Sequence, residues 1–187
     1  MAILDIVLHP HKALYTPAKA VDTFDESLHT LLDAMAETMY AANGVGLAAN
    51  QVNVLQRVTV IDIGSEEDPQ LVELVNPEIV DRSGQITWEE GCLSFPQVYE
   101  KVKRANHVTV RYQDRHGKAQ EISGEELLAV ALQHEIDHLD GICFIDRMGP
   151  MKRKLALKEF ARIQAALKRE AAQKEKEGLP TVDTEAP

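Results

Sequence analysis

The chain has 187 residues, 44% of them apolar and 27% charged, with a net charge of −10. That length predicts one domain, or one domain with a tail, and the composition excludes a disordered chain, a collagen and a coiled-coil rod. No apolar run approaches the ~20 residues that a membrane span needs, and the opening MAILDIVLHP lacks the basic lead-in and cleavage site of a signal peptide. Two cysteines, Cys92 and Cys143, are too few for a disulfide framework, so reduced thiols and a cytoplasmic location are expected. Charge is uneven: residues 1–150 carry a balance of −13 and residues 151–187 a balance of +3. The acidic body argues against a general nucleic-acid binder.

In chain order, Thr23 and Glu26 have capping-box spacing, and Leu28, Leu31, Leu32, Met35 and Met39 follow at helical intervals. Asn43-Gly44 supplies the stop. Residues 57–63 read as a strand, as do residues 71–75, with Asn76-Pro77 expected to end the second. Residues 107–114 alternate, and His116-Gly117 reads as a hairpin turn into residues 119–122. Short strands with few helices between them predict antiparallel pairing. A second helix is expected from near Ser123, capped through Glu126 and ended by Gly141; apolar on most sides, it should be central and buried. A third follows Pro150, with Ala156, Phe160, Ile163 and Leu167 on one stripe, and residues 178–187 read as a frayed tail.

The central helix carries His134-Glu135-Ile136-Asp137-His138. Histidines four apart share a face and can meet one metal ion, while Glu135, turned about 100° away, can flank the ion as a base. A catalytic site of this kind needs a third protein ligand and an open position. In the pattern H-E-x-x-H-x-x-G-x-x-H, Gly141 matches the glycine, but Phe144 stands at the last histidine. Glu159 on the following helix is one candidate, and Cys92 in Glu90-Gly91-Cys92-Leu93-Ser94 is the more economical one. Cys143, flanked by Ile142 and Phe144, reads as a core thiol. A third segment, Gly44-Val45-Gly46-Leu47-Ala48-Ala49-Asn50-Gln51, has paired glycines that mark a close approach of backbone or substrate.

The three segments in this order resemble peptide deformylases, which remove the N-formyl group from nascent bacterial proteins; the resemblance runs from about residue 3 to about residue 165. It implies an α+β fold with antiparallel sheets around a central metal-binding helix, and an N-terminal and a C-terminal helix. Residues 1–167 would form one catalytic domain, and residues 168–187 a basic helix end and tail. Cys92, His134 and His138 would hold one divalent metal. Glu135 would act as general base and then acid, and the Gln51 amide and Leu93 N–H would stabilise the oxyanion. Gly44, Val45, Gly46, Val130 and Ala131 would bind the substrate methionine, and Arg104 would pair with Glu90 behind the cysteine. Asn50, Phe95 and Ala131 depart from residues common in the family, and none of the three is a catalytic group. A thiolate with two imidazoles suits zinc, iron or nickel. The family implies Fe(2+) in the cell, with Zn(2+) or Ni(2+) possible in purified protein, and oxidation of Cys92 in air beside iron.

The expected partners are N-formylmethionyl nascent peptides, with no membrane and no sequence-specific nucleic acid. Residues 151–177 hold nine Lys and Arg against four Glu, which makes a salt-sensitive ribosome contact through the C-terminal helix a candidate. Two rivals stand beside the deformylase reading: a zinc peptidase with Glu159 as third ligand, and a metal-stabilised binding module.

Overall fold

In the computed structural model, which describes residues 3–65 and 67–176, the Leu/Met stripe forms helix α1 (Glu26–Ala41). Its cap is Asp25 rather than Thr23: one Asp25 oxygen accepts from the N–H groups of Ser27 (3.0 Å) and Leu28 (3.2 Å). A carboxylate there also meets the positive end of the helix dipole, an advantage a threonine lacks. Leu28, Leu32, Met35 and Met39 are buried against Val58, Val60 and Val75.

Strands β1 (Gly46–Ala48), β2 (Val58–Ile61), β3 (Val72–Ser83), β6 (His107–Gln113) and β7 (Ala119–Glu125) form one sheet in the order β1-β2-β3-β6-β7. Strands β4 (Ile86–Glu90) and β5 (Glu100–Arg104) form a separate two-stranded sheet. Every ladder is antiparallel. The turn between β6 and β7 is built as expected: Gly117 has φ +80°, and an Asp114 oxygen accepts from the N–H groups of His116 and Lys118.

Asn76-Pro77 does not end β3. The strand passes through with a register shift between Val75 and Glu78. Asn76 takes φ 53°, and its side chain bonds Val21 N–H and C=O and the Gln113 amide, replacing ladder partners that the proline cannot supply.

Helix α2 (Glu126–Leu139) starts later than Ser123. Ser123 lies in β7, its hydroxyl 2.9 Å from that of Thr109 on β6. The chain stays extended to Glu125, and Glu126, at φ 51°, makes the corner. All residues of α2 from Ala129 to Leu139 are buried, and Gly141 at φ +75° closes the helix. Helix α3 (Pro150–Lys176) buries Ala156, Phe160 and Ile163 against Phe95, Val102 and Phe144. The expected tail, residues 178–187, lies outside the described residues. No helix among the described residues is long and apolar enough to cross a membrane.

Candidate metal centre and active site

Three elements deliver the site. Helix α2 places His134 and His138 one above the other, ring centroids 4.9 Å apart. The segment after β4 brings Cys92 across to them, its Sγ 3.2 Å from His138 Nε2. One ligand atom from each of Cys92, His134 and His138 lies within 4.8 Å of the others. This is the spacing of donors around a single ion, and thiolate plus two imidazoles is a donor set that divalent transition metals accept. The competing donors are elsewhere. Glu159 sits on α3 and pairs with Arg162 (2.9 Å), and Cys143 is sealed in the core with its thiol pushed up to about 12, chiefly by burial.

Behind the cluster runs a chain of ion pairs. His134 Nδ1 bonds Glu90 Oε2 (2.8 Å), which aims Nε2 away from Glu90. Arg104 donates to both Glu90 oxygens (2.7 and 2.9 Å) and to Asp137 (2.5 Å), and Arg147 donates twice more to Asp137. Arg104, Glu90 and Asp137 are all buried. Burial opposes the Glu90 charge, but Arg104 and His134 outweigh it and bring its pKa down to about 2. Burial likewise opposes a proton on His134, yet Cys92, Glu90 and Glu135 reverse the balance, whereas burial and the His134 charge strip His138.

Gln51 is buried on the 3-10 turn Ala49–Val52 that follows β1. Its Oε1 accepts from Ala48 N–H (3.0 Å), which turns Nε2 toward Cys92 Sγ (3.6 Å) and Ser94 Oγ (3.3 Å). Glu135 is buried with Oε2 lacking a partner among the described residues, and burial raises its pKa to about 7. A Cβ on Gly46 would come within 2.5 Å of Glu135 Oε1, and one on Gly44 within 2.8 Å of Leu93 Cδ1. The paired glycines thus let β1 press against the base and the cysteine segment.

A cavity of about 110 Å³ opens beside the cluster. It is lined by all five residues expected to hold a methionine side chain (Gly44, Val45, Gly46, Val130 and Ala131), and by Gln51, Cys92, Leu93, His134 and Glu135. Its volume suits one unbranched side chain rather than a large ligand. His138 lies behind it, fully buried. Val45, 46% exposed, forms the rim. Sequence reasoning missed Leu127 in this wall; one turn before Val130 and Ala131, its helical spacing was the available signal. Of the unusual residues, Asn50 donates to the carbonyls of Ala13 and Thr16, and Phe95 stacks with His9 and packs on Phe144 and Phe160. Both serve packing outside the cavity.

A family model described as polypeptide deformylase matches residues 3–154. The chain belongs to the peptide deformylase family. A curated peptide deformylase of Chromobacterium violaceum is 48% identical over 154 residues, covering 82% of this chain and 92% of that one. A crystal structure of a peptide deformylase from Legionella pneumophila superposes with a TM-score of 0.85 at 48% identity, covering 90% and 99% of the two chains. A deformylase of Ehrlichia chaffeensis solved in complex with actinonin superposes at 0.80 with 37% identity, covering 87% of this chain and 98% of that one. The protein is accordingly a hydrolase with peptide deformylase activity, and its α+β fold is that of the solved deformylases. Its Cys-His-His cluster is consistent with a metal-dependent deformylase, and the family implies formyl-Met peptides as substrates.

Proposed function

We propose that Cys92, His134 and His138 hold the metal and that Glu135, Gln51 and Leu93 carry the catalytic roles for deformylation. The observation that supports this best is the Glu135 carboxylate, buried with an unpartnered oxygen and lining the same small cavity as Cys92 and His134. When bound, the divalent ion supplies Lewis acidity and an acidified water. Glu135, raised toward neutrality by burial, takes the proton and returns it to the leaving amine, so that one carboxylate serves as base and then acid. Gln51 Nε2 and the Leu93 N–H donate to the oxygen that becomes negative; one such donor is worth roughly 3 kcal/mol in the transition state. Gly44, Val45, Gly46, Val130 and Ala131 receive the methionine side chain. The whole reaction is served by residues 1–167 as one catalytic domain.

The test is formate release from formyl-Met peptides with and without a chelator. Chelation and Glu135→Gln each abolish it, the latter by at least ~100-fold with the metal retained; full activity in Glu135→Gln would overturn the assignment. Actinonin, held by the Ehrlichia relative, is expected to inhibit formate release. We further propose Fe(2+) as the cellular metal, with inactivation in air that a nickel form escapes because thiolate beside Fe(2+) is open to oxidation. Metal analysis of active enzyme isolated without oxygen would refute this if it found zinc alone. A cytoplasmic location and a ribosome contact through basic α3 complete the proposal, since the substrate is a nascent chain.

A further inference from the structure

A second cavity, about 350 Å³, is lined by none of the residues assigned to metal binding or catalysis. It opens beside Gln133 and Asp137, which lie about 100° round α2 from His134 and His138. Arg82 and Gly84 at the end of β3, Lys103 and Arg104 of β5, and Arg147 complete its wall. Four cations therefore face one cavity with a single carboxylate, Asp137, in a chain whose net charge is −10.

That carboxylate is already engaged, by Arg104 and twice by Arg147. Arg104 in turn is held by both oxygens of Glu90. Arg147 uses Nε and Nη2 on Asp137, and its half-exposed guanidinium keeps Nη1 for a further acceptor. Arg82 and Lys103 are exposed, and neither has an ion-pair partner among the described residues. Gly84, at φ +65°, leaves the rim open beside Arg82. Unpaired like charges gathered at one concavity repel each other unless an anion joins them.

We propose that this cavity binds a small phosphorylated anion, with Arg82, Lys103 and Arg147 as its ligands. Guanidinium forks match phosphate oxygens in pairs, and a lysine adds a mobile point charge. The volume is at the small end of ligand sites, enough for a diphosphate or a compact phosphate ester. The cations converge on one concavity rather than running as a stripe along the surface, which favours a small ligand over a nucleic-acid backbone.

Inorganic pyrophosphate is the probe. Calorimetric titration of the full-length, nickel-loaded enzyme at low salt, with actinonin filling the active site so that the metal is covered, is expected to show saturable one-to-one binding. The double variant Arg82→Glu with Lys103→Glu weakens that binding by at least about tenfold, the loss of one good charge-assisted contact. Its kcat/KM on a formyl-Met peptide without pyrophosphate stays at the parent value. Arg82→Gln with Lys103→Gln, which removes charge without reversing it, shows a smaller loss in the same direction and guards against a folding defect. The proposal falls if pyrophosphate fails to bind, if it binds only when actinonin is absent, or if both double variants bind it like the parent. It falls also if a short RNA oligonucleotide displaces pyrophosphate at lower concentration, which would assign the cations to a nucleic-acid contact.

Discussion

At the scale of single residues, the site depends on atoms that are missing as much as on those present. Gly46 has no Cβ, and that absence admits the Glu135 carboxylate. Gly46→Ala would place a methyl 2.5 Å from Oε1. The far end of a flexible side chain yields more easily than backbone, so the protein should fold while Glu135 moves off its position. We expect kcat to fall by about 100-fold, the usual consequence of misplacing a catalytic group by an ångström, with little change in Tm. A parent-like kcat in steady-state formate assays would contradict this account. Gln51 illustrates the complementary device: one amide oxygen pinned by Ala48 N–H decides where the amide nitrogen points.

At the scale of elements, buried and half-buried ion pairs join pieces that the backbone ladders leave separate. Arg104 on β5 ties the two-stranded sheet to α2 through Asp137, and Glu90 on β4 does so through His134. Replacing Arg104 by leucine leaves Glu90 with His134 as its remaining partner and Asp137 with Arg147, at a cost of about 3 kcal/mol. It also frees the Glu90–His134 pair to reorient, which should weaken metal retention by roughly tenfold or more. Urea unfolding and metal content after dialysis report the two effects separately. A second tie joins α1 to the loop after β2: Tyr40 donates to Asp62 Oδ2 (2.6 Å), and Asp62 Oδ1 accepts from Gly64 and Gln70 N–H. Burial opposes the Asp62 charge, but these bonds outweigh it and lower its pKa, so its contribution is complete above the ordinary 3.8 and fades as pH falls. Burial and the Asp62 charge raise Tyr40 from 10.0 to about 12, so its contribution is complete below pH 10 and fades as pH climbs toward 12. Tyr40→Phe should cost about 1 kcal/mol near pH 7, at the low end because water screens a half-exposed pair. The penalty should shrink between pH 10 and 12. An equal penalty at pH 7 and pH 12 in denaturant titrations would disprove the linkage.

At the scale of the whole molecule, α3 has two parts of different character. Its early turns bury Ala156, Phe160 and Ile163 on the body, whereas the family model ends at residue 154 and the later turns carry Lys168, Arg169, Lys174 and Lys176. Deleting residues from Lys168 onward leaves the three buried side chains in place. The truncated enzyme should therefore keep its turnover of short formyl peptides and its Tm to within a few degrees. Co-sedimentation with ribosomes at low salt should drop, because a backbone contact to RNA scales with the cations that make it. Unchanged co-sedimentation, or parallel loss of turnover, would remove α3 from that role.

The sequence alone determined the helices, the antiparallel strands from residue 107 on and the two-histidine face of α2, because each is encoded within a short window. Histidines four apart define a metal face whatever surrounds them, and three motifs in order identified the family. Local signals failed where a distant partner overrides them. Asn76-Pro77 reads as a stop, yet Val21 and Gln113 satisfy the asparagine and the strand continues. Ser123 reads as a cap, yet β6 claims it for the sheet. Strands β4 and β5 were illegible because only Ile86, Trp88 and Val102 among their ten residues are apolar, and charged Glu90 and Arg104 fill buried positions. Tertiary structure alone brought the Cys92 sulfur within reach of His138, extended the Glu90–Arg104 pair into a chain ending at Arg147, and gathered Arg82 and Lys103 around a second cavity. These are contacts between residues tens of positions apart, and only the closing of the chain brings such groups within range of one another's charge.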